Sequence, residues 1–122
     1  MLRRASVSKS SAGVNLWDPG QVRKGFDLSR ERMSSLLQVS SKTYERWEKG
    51  VATPAEAQKW KLARLSEILA LGSLVYTPEG LREFLQTPMP AFDGNCALEM
   101  LRRGEFERVL AALAADYEGL GY

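Results

Sequence analysis

The feature that constrains the fold most is a set of helix start signals that recurs along the 122-residue chain. No segment alternates polar and apolar residues over the length of a strand. A capping residue stands before proline or before a helically spaced apolar run at five places: Asp18-Pro19, Leu28-Ser29, Ser40, Thr53-Pro54 and Thr77-Pro78. The sequence therefore predicts an all-α protein made mostly of short helices.

The spacing of hydrophobic residues and the positions of helix-breaking residues give approximate boundaries for the predicted helices. We expect short helices over residues 19–26, 29–37 and 40–49, the last two joined by a tight turn. A capping box at residues 53–56 predicts a longer helix, whose buried stripe is expected to contain Trp60, Leu65, Ile68 and Leu69. After residue 77 we expect three more helices, with apolar faces made by Leu81, Phe84 and Leu85, by Leu98 and Leu101, and by Phe106, Val109, Leu110 and Leu113.

The residue types that are missing exclude most enzyme chemistry. The chain is 44% hydrophobic and 26% charged, which suffices for a core, but it has no histidine. Ser-His-Asp triads and histidine metal ligands are therefore excluded. The single cysteine, Cys96, can form no internal disulfide and complete no zinc site, and we expect it to be a small core residue. We expect a binding protein, not an enzyme, without metal or cofactor.

Charge divides the chain into two halves. Residues 1–60 carry 11 basic and 6 acidic side chains, a net charge of +5, whereas residues 61–122 carry a net charge of −3. A basic half suits a polyanion such as DNA. Residues 1–15 are serine-rich and basic, and we expect a disordered arm there. The longest apolar run, residues 109–115, is too short to cross a membrane, and serines follow Arg3 and Arg4 in place of a signal sequence, so we expect a cytoplasmic protein.

Residues 28–50 have the pattern of a helix-turn-helix. In this motif the second helix lies in the major groove of DNA while the first crosses the backbone. Val39, Tyr44 and Trp47 are expected to face the core. The residues expected to contact DNA are Ser41, Lys42, Thr43 and Arg46 in the second helix and Arg30, at a phosphate, in the first. The alternative is a solvated basic face that does not bind DNA.

Two side chains of the second helix are suited to reading bases. Lys42 and Arg46 are four residues apart on one helical face, and both can donate to guanine acceptors, Arg46 with bidentate geometry. We expect Glu45 and Glu48 to form ion pairs on the same helix rather than to act as catalytic acids.

These residues resemble a known family. Gln38 stands where that family favours glycine, so the turn is expected to need a positive φ at this position. The residues that are similar to the Xre-type helix-turn-helix of phage-repressor-like regulators are Leu28-Ser29, Ser34, Val39-Ser40, Thr43 and residues 46–50.

The C-terminal half resembles the toxin-binding domain of Xre/MbcA/ParS-type antitoxins. Phe84 replaces the family's tryptophan, and Cys96-Ala97 replaces a Thr-Pro helix start, which leaves a poor N-cap unless Asn95 caps the helix. Known members are usually encoded beside a RES-domain toxin, which consumes or transfers NAD. The segments that carry the resemblance are Phe84-Leu85, residues 88–94, residues 98–101, residues 103–109 and Leu113.

This resemblance implies an antitoxin with two functional ends. It divides the chain into the arm, residues 1–15, a helix-turn-helix domain, residues 16–76, and a toxin-binding domain, residues 77–122. The first domain would repress the shared promoter, and the second would cover the toxin's active site. Tyrosines beside flexible glycines and acidic residues suit such a contact, although a frayed terminus is the alternative. The predicted toxin-binding residues are Asp116, Tyr117, Glu118, Leu120 and Tyr122.

The sequence is compatible with two other functions. One is a stand-alone Xre-family transcriptional regulator whose C-terminal half only dimerises the protein, and the other is an interaction module that does not bind DNA. The antitoxin and the regulator both predict binding to double-stranded operator DNA as a homodimer, and the antitoxin also predicts a hetero-oligomer with its toxin. Leu74, Val75 and Tyr76 are candidates for the dimer surface, or they close the core between the halves.

Overall fold

The computed structural model describes residues 17–120, and this range is all-helical, as the sequence predicts. The predicted arm, residues 1–15, lies outside the described residues. A 3-10 turn, Pro90–Phe92, connects the fifth and sixth helices. The α-helices of the described range are α1 (Pro19–Phe26), α2 (Arg30–Leu37), α3 (Ser41–Glu48), α4 (Glu56–Val75), α5 (Pro78–Gln86), α6 (Ala97–Arg102) and α7 (Phe106–Gly119).

Four of the five predicted start signals are confirmed by capping hydrogen bonds. Each capping side chain accepts a bond from the backbone N–H three residues further along, at 3.0 to 3.1 Å. Such a bond typically contributes about 1 kcal/mol to helix stability. The caps are Asp18 before α1, Ser29 before α2, Ser40 before α3 and Thr77 before α5.

The fifth start signal, at Thr53-Pro54, is wrong by two residues. Helix α4 begins at Glu56, and its N-cap is Ala55, which offers no side-chain hydrogen bond. Pro54 is buried, so it packs into the protein instead of forming the first exposed turn of the helix. The packing of this segment, and not the local cap, therefore determines where α4 begins.

The predicted buried stripe of α4 is correct for Leu65 and Ile68 but wrong for Trp60. Trp60 is 57% exposed, whereas Leu62, Leu65 and Ile68 are fully buried. Trp60 and Leu62 are two positions apart, which in an α-helix corresponds to a rotation of about 200° around the helix axis. Because Leu62 faces the core, Trp60 must point towards solvent. Leu69 is half-buried and lies against Gly25 of α1, where a Cβ atom would come within 2.5 Å of the leucine side chain.

Helix α4 is the centre of the packing. It contacts α1 and α5, and it packs most extensively on α7. Helices α4 and α7 run in the same direction, because Trp60 meets Phe106 near their starts and Tyr76 meets Asp116 near their ends. Helix α2 packs on α3 and also on α6.

One hydrophobic cluster joins the two halves of the chain. It includes Met33 of α2 and Tyr44 of α3, Ile68 from α4, and Met100 and Val109 from the C-terminal half. The predicted division between residues 76 and 77 falls in the connection between α4 and α5. No helix of the described range has the length and apolar character needed to cross a membrane.

Candidate functional site

The turn between α2 and α3 has the geometry that the sequence predicts. Gln38 adopts φ 62° and ψ 43°, which confirms the expected positive φ. Its backbone N–H donates to Ser35 O at 3.1 Å, and its side-chain amide donates to Arg102 O at 3.4 Å. The turn is thus closed locally and also contacts the end of α6.

The inward face of α3 is confirmed. Tyr44 is fully buried, and its hydroxyl donates to Pro19 O at 2.7 Å. Trp47 is 8% exposed and lies with its ring centroid 5.5 Å from that of Tyr44, while Val39 is half-buried against the same core. Burial raises the pKa of Tyr44 well above its usual range. These contacts fix the rotation of α3 about its own axis.

The outward face of α3 carries the predicted base-reading residues. Lys42 and Arg46 are exposed, and neither forms a hydrogen bond or ion pair within the described range. Ser41 and Thr43 are half-buried, and the Thr43 hydroxyl accepts a hydrogen bond from Ser40 Oγ at 2.9 Å. The outward side of α3 therefore presents two unpaired cations, Lys42 in the first turn and Arg46 in the last, beside two short polar side chains. Their contact with DNA remains a prediction.

A carboxylate from α3 binds two arginines from the preceding helices. Glu48 accepts from Arg23 Nε at 2.5 Å and from Arg30 Nη2 at 2.8 Å, and its side chain is only 9% exposed. Burial by itself would raise the pKa of Glu48, but the two guanidinium groups hold it below its ordinary value. We call this cluster the Glu48 clamp.

The clamp corrects one expectation and adds a residue that sequence reasoning missed. Glu45 does pair with Lys49 on α3, at 2.8 Å, but Glu48 pairs across to α1 and α2. Arg30, the predicted phosphate contact, keeps 37% of its side chain exposed while it is held there. Arg23 is separated from Glu48 by 25 positions, so no local spacing pattern indicates this pair.

The predicted toxin-binding residues lie at the end of α7. Asp116, Tyr117 and Glu118 are helical, Leu120 follows the helix and is 50% exposed, and Tyr122 lies outside the described residues. Asp116 is half-buried and accepts a hydrogen bond from the Tyr76 hydroxyl at 2.6 Å. Glu118 is exposed and Tyr117 is half-buried.

Tyr76 closes the core at this end of the molecule. Its ring is stacked on Phe84 with a centroid separation of 5.4 Å. Burial, together with the hydrogen bond to Asp116, raises the pKa of Tyr76 to about 12. Val75 is also half-buried, whereas Leu74 is 63% exposed. Of the three candidate dimer residues, Leu74 is therefore the one that projects into solvent.

The short connection before α6 differs from expectation in two respects. Asn95 donates to Phe92 O at 3.2 Å and does not cap the helix, so the N-cap is Cys96, without a side-chain hydrogen bond. Cys96 is half-buried at this helix start and is not a core residue, which contradicts the prediction. Arg108 of α7 holds the connection in place by donating to Ala91 O at 2.6 Å.

Comparisons with known proteins agree with this arrangement. The chain is 25% identical, over 96 residues, to a probable mycobacterial cidal antitoxin of Mycobacterium tuberculosis strain H37Rv. The aligned region covers 79% of this chain and 82% of the relative. The chain is a homologue of that antitoxin. This confirms the resemblance that its residues indicate.

A solved structure extends the likeness to the fold. A chain in the crystal structure of the M. tuberculosis MbcT-MbcA toxin-antitoxin complex superposes with a TM-score of 0.73 and 21% identity. The match covers 88% of this chain and 96% of that chain, so the two share the same fold over nearly their whole lengths. No protein-family model matches the chain.

Proposed function

We propose that this chain is the antitoxin of a toxin–antitoxin pair, and that its partner is a RES-domain toxin that consumes or transfers NAD. The observation that carries the proposal is homology to an antitoxin over about four fifths of both chains. The shared fold with a chain of a toxin–antitoxin complex supports it. The role is binding and not catalysis.

The end of α7 is the surface that we assign to the toxin. It combines exposed Leu120 and Glu118 with half-buried Tyr117, a mixture of apolar, acidic and aromatic groups that suits a protein contact. Asp116 is positioned by its hydrogen bond with Tyr76. The acidic groups would complement a basic site that binds an anionic nucleotide. Tyr122 lies outside the described residues, and its contact with the toxin is proposed from the sequence alone.

The second part of the proposal is that the protein represses its own promoter through α3. It is supported by the exposed, unpaired Lys42 and Arg46 on a helix whose opposite face is buried. Each copy would read one operator half-site, so we propose a homodimer on double-stranded DNA and a hetero-oligomer when toxin is bound. Arg30 would contact a phosphate while Glu48 orients it.

Growth of a host that expresses the adjacent open reading frame tests the antitoxin role. We expect growth arrest by that frame alone and rescue when this chain is co-expressed. Removal of residues 117–122 should abolish rescue and leave DNA binding intact. Arg46→Ala should do the opposite, with rescue retained and repression lost. No arrest, or arrest that full-length chain does not relieve, would contradict the antitoxin role and favour the stand-alone regulator.

Binding to selected and to random DNA tests the role of α3. We expect Arg46→Ala to weaken operator binding by about 1 to 3 kcal/mol and to relax base preference. Arg30→Ala should weaken binding to all sequences alike, because phosphates carry no sequence information. Arg82→Ala, on α5 outside the helix-turn-helix, is the matched control and should change neither. Equal losses on both DNAs for Arg46→Ala would refute its reading role.

A further inference from the structure

Helix α4 has an apolar outer face that the described part of the chain leaves open. Its core face contains Leu62, Leu65 and Ile68, yet Trp60 is 57% exposed and Leu74 is 63% exposed on the opposite side. A helix at a protein surface normally places polar residues there. The outer face of α4, as we define it, consists of Trp60, Ala63, Glu67, Ala70 and Leu74.

The spacing of these five residues is that of a helix–helix seam. They are separated by three, four, three and four positions, the pattern of the apolar positions in a coiled coil. The face is about 21 Å long at 1.5 Å per residue. Ala63 and Ala70 lie between the two large side chains, and small residues at these positions allow a second helix to approach closely. The neighbouring α7 meets this face at Trp60, whose ring lies edge to face against Phe106 with a centroid separation of 5.7 Å.

We infer that the outer face of α4 binds the same face of a second copy of this chain, with the two helices antiparallel about a two-fold axis at Glu67. The order of side chains along the face is symmetric about Glu67: large, small, charged, small, large. An antiparallel pair therefore places Trp60 of each copy against Leu74 of the other, and alanine against alanine. A two-fold interface requires this kind of self-complementarity.

The one charged residue of the face is already paired within its own copy. Glu67 Oε1 accepts from Arg64 Nη1 of the same helix at 2.6 Å, and this guanidinium also pairs with Glu107 of α7. An antiparallel pair places the two Glu67 side chains at the axis, each beside the arginine of its own helix. The rest of the face is apolar and repeats itself about Glu67, whereas the end of α7, assigned above to the toxin, is acidic. Self-complementarity therefore favours a second copy over the toxin as the occupant of α4.

The size of the face sets the expected strength of the dimer. A single contact between helices about four turns long lies at the low end of the range of areas buried in stable interfaces. We therefore expect a reversible dimer whose population depends on protein concentration. The role of this dimer on operator half-sites rests on the proposed function, but its existence does not. The test is therefore made on the full chain without DNA or toxin.

Sedimentation of the full chain with a matched pair of variants tests the proposal. We expect the wild-type chain to dimerise and Ala70→Glu to raise the dimer dissociation constant at least about tenfold, because it adds bulk and like charge to the seam. Ala115→Glu makes the same change at an exposed alanine of α7 and should leave dimerisation unchanged. Circular dichroism verifies folding. A wild-type chain that is monomeric at every concentration, or a dimer that Ala70→Glu leaves intact, would overturn the inference.

Disulfide trapping tests the antiparallel arrangement without weakening the seam. In a Cys96→Ser background, Glu67→Cys should form a covalent dimer on oxidation, since the axis brings its Cβ atoms within disulfide range. Glu83→Cys, on exposed α5 surface, should not. Trp60→Cys and Leu74→Cys should cross-link when mixed but not singly. If Trp60→Cys and Leu74→Cys each cross-link efficiently without the other, the helices are parallel. If Glu67→Cys does not cross-link, the dimer uses another interface.

The Ala70→Glu variant also tests whether the toxin occupies this face. If Ala70→Glu abolishes toxin binding but leaves dimerisation intact, the face belongs to the toxin and the inference is overturned.

Discussion

At the scale of single residues, Glu48 has the largest structural role of the charged side chains near the predicted DNA surface. It is nearly buried, and it binds guanidinium groups from α1 and α2 at once. A buried carboxylate is tolerable only with such partners, since an unpaired charge there costs several kcal/mol. The clamp therefore fixes the relative positions of three helices and the orientation of Arg30.

Glu48→Gln keeps the shape of the side chain but removes its charge. We expect a loss of about 2 kcal/mol in the free energy of unfolding, because the two arginines lose a charged acceptor. Because the folded-state pKa of Glu48 is lowered, its contribution is complete above the ordinary value of 4.5 and is lost as the pH falls through the folded-state pKa. The difference between wild type and variant in urea unfolding should shrink in acid.

Glu45→Gln is the matched control for this measurement. Glu45 pairs with Lys49 on the exposed surface of the same helix, and exposed pairs contribute little. No measurable change in unfolding is expected at neutral pH. A Glu48→Gln variant as stable as Glu45→Gln would show that the clamp does not stabilise the fold.

At the scale of helices, α4 is the longest helix of the described range and begins without a side-chain cap. Ala55 has the extended backbone of an N-cap, with φ −64° and ψ 162°, but no oxygen to accept a hydrogen bond. Gln58 stands three residues later, and its Oε1 atom is buried without a partner in the described range. The backbone geometry of a capping box is therefore present without the capping residue.

Ala55→Ser should complete this capping box. We expect a gain of about 1 kcal/mol in the free energy of unfolding, because the serine hydroxyl can accept from the Gln58 N–H. Ala57→Ser, also exposed but inside the first turn, is the control and should be neutral or slightly destabilising. Thermal unfolding of the two variants measures the difference. A melting temperature for Ala55→Ser at or below that of Ala57→Ser would contradict the capping geometry.

At the scale of the whole molecule, the two halves are packed as one body around α4. Helix α2 contacts α6, the turn at Gln38 donates to Arg102 O, and the far ends of α4 and α7 are joined by the bond between Tyr76 and Asp116. The helices that carry the predicted DNA surface and the predicted toxin surface therefore pack on the same hydrophobic core. Changes at the end of α7 can reach the rest of the molecule through Tyr76.

Tyr76→Phe removes the hydroxyl that joins α4 to α7. We expect a loss of about 1 kcal/mol in the free energy of unfolding at neutral pH. The folded-state pKa of Tyr76 is raised from 10 to about 12, so its contribution is complete below pH 10 and is lost as the pH rises towards 12. The difference between wild type and variant in urea unfolding should therefore vanish in strong alkali.

A double-mutant cycle with Asp116→Asn separates this bond from other effects of the substitutions. If the hydroxyl acts through Asp116, the losses from the two single variants should not add in the double variant. Fully additive losses would show that the Tyr76 hydroxyl stabilises the protein by another route.

The amino-acid sequence by itself determined the helical class, four helix starts, the turn at Gln38 and the inward face of α3. These depend on local caps, backbone preferences and the 3.6-residue period, which neighbouring residues specify. The family resemblance likewise depended on short motifs in the sequence, within residues 28–50 and within residues 84–113.

Only the tertiary structure decided the delayed start of α4, the outward position of Trp60, the partners of Glu48 and the attachment of Asp116 to Tyr76. Each depends on residues far apart in the chain, such as Arg23 and Glu48 or Tyr76 and Asp116. Local periodicity cannot specify which helix faces meet, because burial is decided by the packing of all helices together.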